Sequence, residues 1–151
     1  MGQQQLLLVI LVTIIVGIAT VVAINTFGSA AESANHDAVR QDVAQIASSA
    51  QAYYIKPAML AGGDRDFTDI DFNNITFAGT IDADDPLIAS NENGTYVISD
   101  GDDDEFTITA YPSSNEDYAD NPTGGDSMEA TILPNSITWV RSSPGEAAAG
   151  S

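Results

Sequence analysis

LLLVILVTIIVGIATVVAI, residues 6–24, runs for nineteen positions without a charge. As a helix it rises about 28 Å, close to the hydrocarbon thickness of a bilayer. Thr13, Gly17 and Thr20 are the only soft spots in it. No Lys or Arg precedes the run, and the helical pattern does not stop after it. A secretory signal peptide has a basic start, a shorter apolar stretch and a small-residue cleavage site. The expectation is a helix that stays with the protein.

Beyond residues 25–28 (NTFG) comes SAAESANHDAVRQDVAQIASSAQAYYIK, residues 29–56, rich in Ala and Gln, with no proline until Pro57. Val39, Val43, Ile46, Ala50 and Tyr53 step by four, three, four and three, which places them on one helical face. Arg40, Asp42, Gln45, Ser48, Ser49 and Gln51 occupy the remainder. Asp37 and Arg40 are spaced to pair. The pattern predicts one nearly continuous helix over residues 4–55, apolar all round in its first half and amphipathic in its second. Gly17 and Gly28 are flexing points, and Pro57 with Gly62 and Gly63 ends it.

After Gly63 the texture changes to short β-type runs between turn residues. They are residues 74–77 (NITF), 95–99 (TYVIS), 106–111 (FTITAY), 130–133 (ATIL) and 137–140 (ITWV). The acidic loop at 99–105 and the 134–136 connection are tight links, so the strands form an antiparallel meander. The predicted class is α+β: a long N-terminal helix packed on a small antiparallel sheet. Three parts are expected, namely a hydrophobic membrane or core helix (1–28), its amphipathic continuation (29–56) and an acidic β-rich head with a frayed tail (57–151).

The charge is lopsided. Asp and Glu number 22 against 4 Lys and Arg, a net charge of −18, and every acid lies at or after Glu32. Such a surface repels phosphates, so the subunit itself is not expected to bind nucleic acid. The excess of Asp over Glu suggests a salt-adapted source, where screening relieves self-repulsion. There is no cysteine, one histidine and no G-x-S-x-G elbow. No catalytic constellation is visible, and no enzyme is expected.

Asp100, Asp102, Asp103, Asp104 and Glu105 form the densest acidic cluster. Calcium takes oxygen ligands of this kind. The glycine comes too early for an EF-hand loop, so a solvated loop is the preferred reading and calcium the alternative. Otherwise no cofactor is expected. Asn74 and Asn93 head N-x-[ST] sequons and are candidate glycosylation sites, whereas Asn121 is barred by Pro122.

A small Gly before a long apolar helix, an amphipathic Ala-rich continuation ending at Tyr53 and a small antiparallel sheet together resemble the layout of type IV pilins and the related pseudopilins. The resemblance implies cleavage after Gly2 by a prepilin peptidase, leaving Gln3 as the N-terminus, and use of a pilus assembly machinery. It also implies a homopolymer whose core holds Leu6, Leu7, Leu8, Ile10, Ile14, Gly17, Ile18 and Val21. The family's glutamate at the fifth mature position is replaced by Leu7. In a second register Met1 is the mature start and Gln5 takes that position. Archaeal pilins, which the glutamine-rich opening resembles, often lack this glutamate, and the family's helix-kinking proline is also missing here.

The resulting expectation is a subunit of an extracellular filament, held in the membrane as a single-span precursor. The alternatives are a pseudopilin in a secretion system and a monomeric membrane-anchored cation-binding domain.

Overall fold

The computed structural model describes residues 2–99, 101–114 and 127–141. The elements run helix α1 (Gly2–Ile55), a 3-10 turn (Ala58–Leu60), then strands β1 (Thr80–Ile81), β2 (Ile88–Ser90), β3 (Gly94–Ser99), β4 (Phe106–Pro112), β5 (Met128–Leu133) and β6 (Ser136–Arg141). The strands form one antiparallel sheet in the order β1-β2-β3-β4-β5-β6. The fold is α+β, with a long helix and a small open meander.

By its contacts the chain divides into two compact units, Met1–Ala34 and Asn35–Ser151. The first is wholly helical over its described residues. The second contains the rest of α1 and the sheet.

In the second unit α1 buries Val39, Val43, Ile46, Ala47, Ala50 and Tyr53. They join a core of inward-facing sheet residues. One cross-strand row alternates small and large side chains, Ala89, Tyr96, Ala110, Met128, while the next, Ile98, Ile108, Ala130, Trp139, is bulky except at Ala130. Alternation of this kind lets a helix surface interdigitate with a sheet. β3, β4 and β5 bury every second residue, as a strand with one covered face must.

Residues 74–77 are not a strand. The Asn74 amide donates to the Asp71 carbonyl at 3.2 Å and to Asp71 Oδ1 at 2.9 Å, which makes the segment a turn. Its apolar residues still go inward, with Ile75 buried and Phe77 in tilted contact with Phe72 and edge-to-face contact with Tyr96, each at a ring separation of 5.3 Å. Phe67, Ile70 and Phe72 of the same irregular segment are also buried. β1 and β2 are strands that the sequence reading lacks. They are two and three residues long, too short for an alternation to register.

The C-terminal residues 142–151, Asp100 and Asn121 lie outside the described residues.

Ile46 is fully buried where α1 meets the sheet. Ile46→Ala is expected to lower the stability of the sheet-bearing unit by about 2–5 kcal/mol, the range for emptying such a site. Chemical unfolding of the full chain in detergent, followed by Trp139 fluorescence, measures it.

Candidate functional site

The most unusual surface in the molecule is the first unit of α1. Fourteen large apolar side chains between Leu6 and Ile24 are each 49–67 % exposed, with Leu6, Leu7, Leu8, Ile10, Ile14, Ile18 and Val21 among them. Leaving so many in water forgoes on the order of 20 kcal/mol of burial, at about 1.5 kcal/mol or more for each. α1 is the one helix among the described residues that is long and apolar enough to cross a membrane.

The polar atoms of this stretch are handled internally. Thr13, Thr20 and Thr26 each donate their hydroxyl to the carbonyl four residues back, at 2.7, 2.8 and 2.8 Å. No threonine hydroxyl then needs water, which is the condition for residence in lipid or in a dry bundle. A Cβ placed on Gly17 or Gly28 meets nothing within 4 Å. Nothing inside the chain therefore requires glycine at either position. Gly2 is helical, exposed and equally open, and Gln3 follows it on the same exposed turn.

In the second unit, polar residues along the edges of α1 fix its register on the sheet. Asn35, Asp42 and Ser49 recur every seven residues, two helical turns, and so share one edge. Asn35 Nδ2 donates to the Asn93 carbonyl at 2.8 Å, and Ser49 Oγ donates to the Thr76 carbonyl at 3.0 Å. On the other edge Gln51 Nε2 donates to the Leu133 carbonyl at 3.1 Å, and Tyr54 Oη donates to Asp104 Oδ1 at 3.0 Å. The sequence pattern places Asp42, Ser49 and Gln51 merely off the apolar face. Their sheet-side partners lie 27 to 82 positions away, beyond the reach of helical periodicity.

Asp42 is the hub of this edge. Its Oδ2 accepts from Asn91 Nδ2 at 2.8 Å, Asn93 Nδ2 at 2.7 Å and Tyr96 Oη at 2.7 Å. Burial raises the Tyr96 phenol above its ordinary value of 10, and the hydrogen bond to the Asp42 carboxylate and that carboxylate's charge raise it further. Asp42 also lines a groove of about 730 Å³ with Ala78, Gly79, Thr80, Ser90 and Glu92.

The remaining candidate residues fall as follows. Asp102, Asp103, Asp104 and Glu105 are exposed. Their loop is tied by its own backbone, with the Asp102 amide donating to the Glu105 carbonyl at 2.8 Å and the Asp103 amide to Asp102 Oδ1 at 2.8 Å. Among the described residues no group of three or more His, Asp or Glu could hold a metal ion, and the chain has no cysteine. Asn74 is exposed. Asn93 is half-buried, with its amide committed to Asp42, so of the two sequons Asn74 is the accessible one. Asp37 and Arg40 form an exposed ion pair at 2.7 Å.

No model of a protein family matches the chain, and no curated protein or solved structure matches it. Its long N-terminal helix packed on a small open antiparallel sheet is loosely consistent with pilin-like folds.

The Tyr96 environment generates a pH dependence. The unfolded chain releases this proton near pH 10 while the folded chain retains it. Stability is therefore full below pH 10 and falls above it, by about 1.4 kcal/mol per pH unit for one retained proton. Tyr53 and Tyr54 are shifted upward too, chiefly by burial, and act in the same direction. Tyr96→Phe is expected to cost about 1.5–3 kcal/mol at neutral pH, the worth of a hydrogen bond to a carboxylate. It should also flatten the fall above pH 10. Denaturant melts from pH 7 to 11.5 on both proteins compare the two slopes.

Proposed function

We propose that this chain is a pilin-like structural subunit that polymerises through residues 3–55 into an extracellular filament. The carrying observation is residues 6–24 of α1: apolar on every side, exposed throughout and with the threonine hydroxyls satisfied within the helix. Such a surface is at home in lipid and in a bundle of its own copies. The two environments are similarly apolar, so transfer from one to the other is nearly balanced and is decided by packing. The precursor is held in the cytoplasmic membrane by residues 6–24. Cleavage after Gly2 by a prepilin peptidase releases Gln3 as the new terminus, and an assembly machinery moves the helix into the filament core. The acidic sheet-bearing part coats the outside, where its charge of one sign keeps the fibre soluble.

Gly17 separates this reading from a passive anchor. Its hydrogen faces open space within the chain, so a leucine there leaves the monomer intact and improves helix propensity. Between closely packed helices the same leucine removes the small residue that lets backbones approach. Gly17→Leu is expected to leave membrane-bound chain at its normal level and to reduce sheared filaments at least severalfold.

Leu8→Asp places a charge in the proposed core and is expected to abolish filaments. Electron microscopy of material sheared from cells, with intact mass of the same sample, reads both results and fixes the N-terminus at Gln3 or Met1. Normal filament yield from both variants would overturn the assignment. Chain recovered only as a detergent-soluble monomer would favour an anchored domain, and chain confined to the envelope beside a secretion machine would favour a pseudopilin.

A further inference from the structure

The turn that ends α1 displays apolar and basic side chains together on an otherwise acidic molecule. Met59 is 97 % exposed, Ile55 74 % and Leu60 62 %. Beside them stand Lys56 and Arg65, both exposed and two of only four basic residues in the chain. Among the described residues neither of these two is held in an ion pair.

The turn is built rather than slack. The amides of Gly63 and Arg65 donate to the Tyr53 and Tyr54 carbonyls at 2.9 and 2.8 Å, and the Asp64 amide donates to the Lys56 carbonyl at 3.0 Å. Ala61, Asp64 and Arg65 hold positive φ values of 56°, 52° and 72°. A Cβ on Gly62 would stand 2.2 Å from the Lys56 carbonyl oxygen, and one on Gly63 2.1 Å from that of Asp66. Such conformations cost energy in non-glycine residues and persist where the surroundings fix them. The turn thus presents a fixed knob of Ile55, Met59 and Leu60 flanked by two cations.

The same unit carries a complementary recess. The groove of about 730 Å³ beside Asp42 has Ala78 and Gly79 on its wall and the exposed carboxylate of Glu92 at its rim. All three hydrogen bonds to Asp42 go to Oδ2, which leaves Oδ1 for a further donor.

Ile55, the last residue of α1, lies thirteen residues beyond Asp42, about 20 Å along the helix axis. The knob therefore does not reach the groove of its own chain. We propose that the knob at residues 55–65 of one copy docks into the Asp42 groove of the next. Met59 and Leu60 lie against Ala78 and Gly79, and Lys56 or Arg65 faces Asp42 and Glu92. The occupant is a second copy because the knob carries two of the four positive charges in a chain of net charge −18, and the groove offers it carboxylates. A contact between two different patches of identical subunits is heterologous, and repeated it gives an open polymer rather than a closed dimer. The inference deepens the filament reading and rests on it.

Absence of native cysteine makes the test direct. The full-length chain carrying Met59→Cys and Ala78→Cys is oxidised in sheared material and in detergent, beside each single variant. Filaments with a disulfide ladder from the double variant, and at most dimers from the singles, support the proposal. Filaments that yield no ladder overturn it and leave the helix-driven polymer standing. A ladder from detergent with no filament on the grid keeps the contact and overturns that polymer. Dimers alone from the double variant show a closed pair and overturn the open contact. Residue 59 labelled only by lipid-phase probes, with no bond to residue 78, assigns the knob to the membrane and also overturns it. Lys56→Glu is expected to reduce ladder formation about tenfold, the size of a like-charge clash at a docking rim, and Glu92→Lys to restore it.

Discussion

A helix that is apolar on every side has no inward face, and the rest of this chain answers that fact. An amphipathic helix settles its position by turning its greasy stripe to a core. The stretch around Ile14 and Ile18 has no stripe to turn, since residues on all sides are exposed to a similar degree. Cover has to come from outside the chain. The back-bonded hydroxyls of Thr13 and Thr20 remove the one feature that would have tied the segment to water. Whatever covers it, lipid or protein, meets a surface without unmet polar demands.

The second unit solves the opposite problem. Its stretch of α1 must lie on a sheet in one register, and apolar contacts alone slide easily. The polar edges prevent this. Asn35 and Asp42 hold the Asn91–Asn93 turn, while Gln51 and Tyr54 hold Leu133 and Asp104 on the other side. Each bond is directional, and all but the exposed one from Tyr54 are partly shielded, so a slip of one helical turn would break several at once. The carboxylate of Asp42 is the most consequential of them, because three donors from two elements converge on one oxygen.

Much of this architecture was legible in the sequence, and the reasons are specific. The 3.6-residue period of Val39, Val43, Ile46 and Ala50, and the two-residue period of 106–111, are direct images of one covered face. The short links at 100–105 and 134–135 favour antiparallel neighbours on either side of them, whereas the fifteen-residue connection from β4 to β5 left that pairing open. Residues 74–77 misled because an alternating run also arises when a turn points two apolar residues inward, and Asp71 three positions earlier was the warning. The Asp42 hub was hidden for a different reason. Its donors lie 49 to 54 positions away, and no local pattern reports a contact at that separation.

The abundance of aspartate shows how a compositional reading gives way to a local one. The sequence suggested an acid-rich coat tuned to salt. Many of these side chains, however, accept hydrogen bonds from backbone amides one to three residues ahead: Asp66 from Thr68, Asp71 from Asn74, Asp82 from Asp84 and Asp85, Asp85 from Leu87, and Asp102 from Asp103. Glutamate, one methylene longer, does not close this short ring, whereas aspartate does so routinely. The long irregular stretch between α1 and β3 is organised largely by such turns, and it still delivers Phe67, Ile70, Phe72 and Ile75 to the core. Preference for Asp over Glu is then explained by geometry at these positions. The net charge remains, and with it the mutual repulsion of neighbouring copies. Lys56 and Arg65, exposed on the turn that ends α1, are two of the four cations available to offset it.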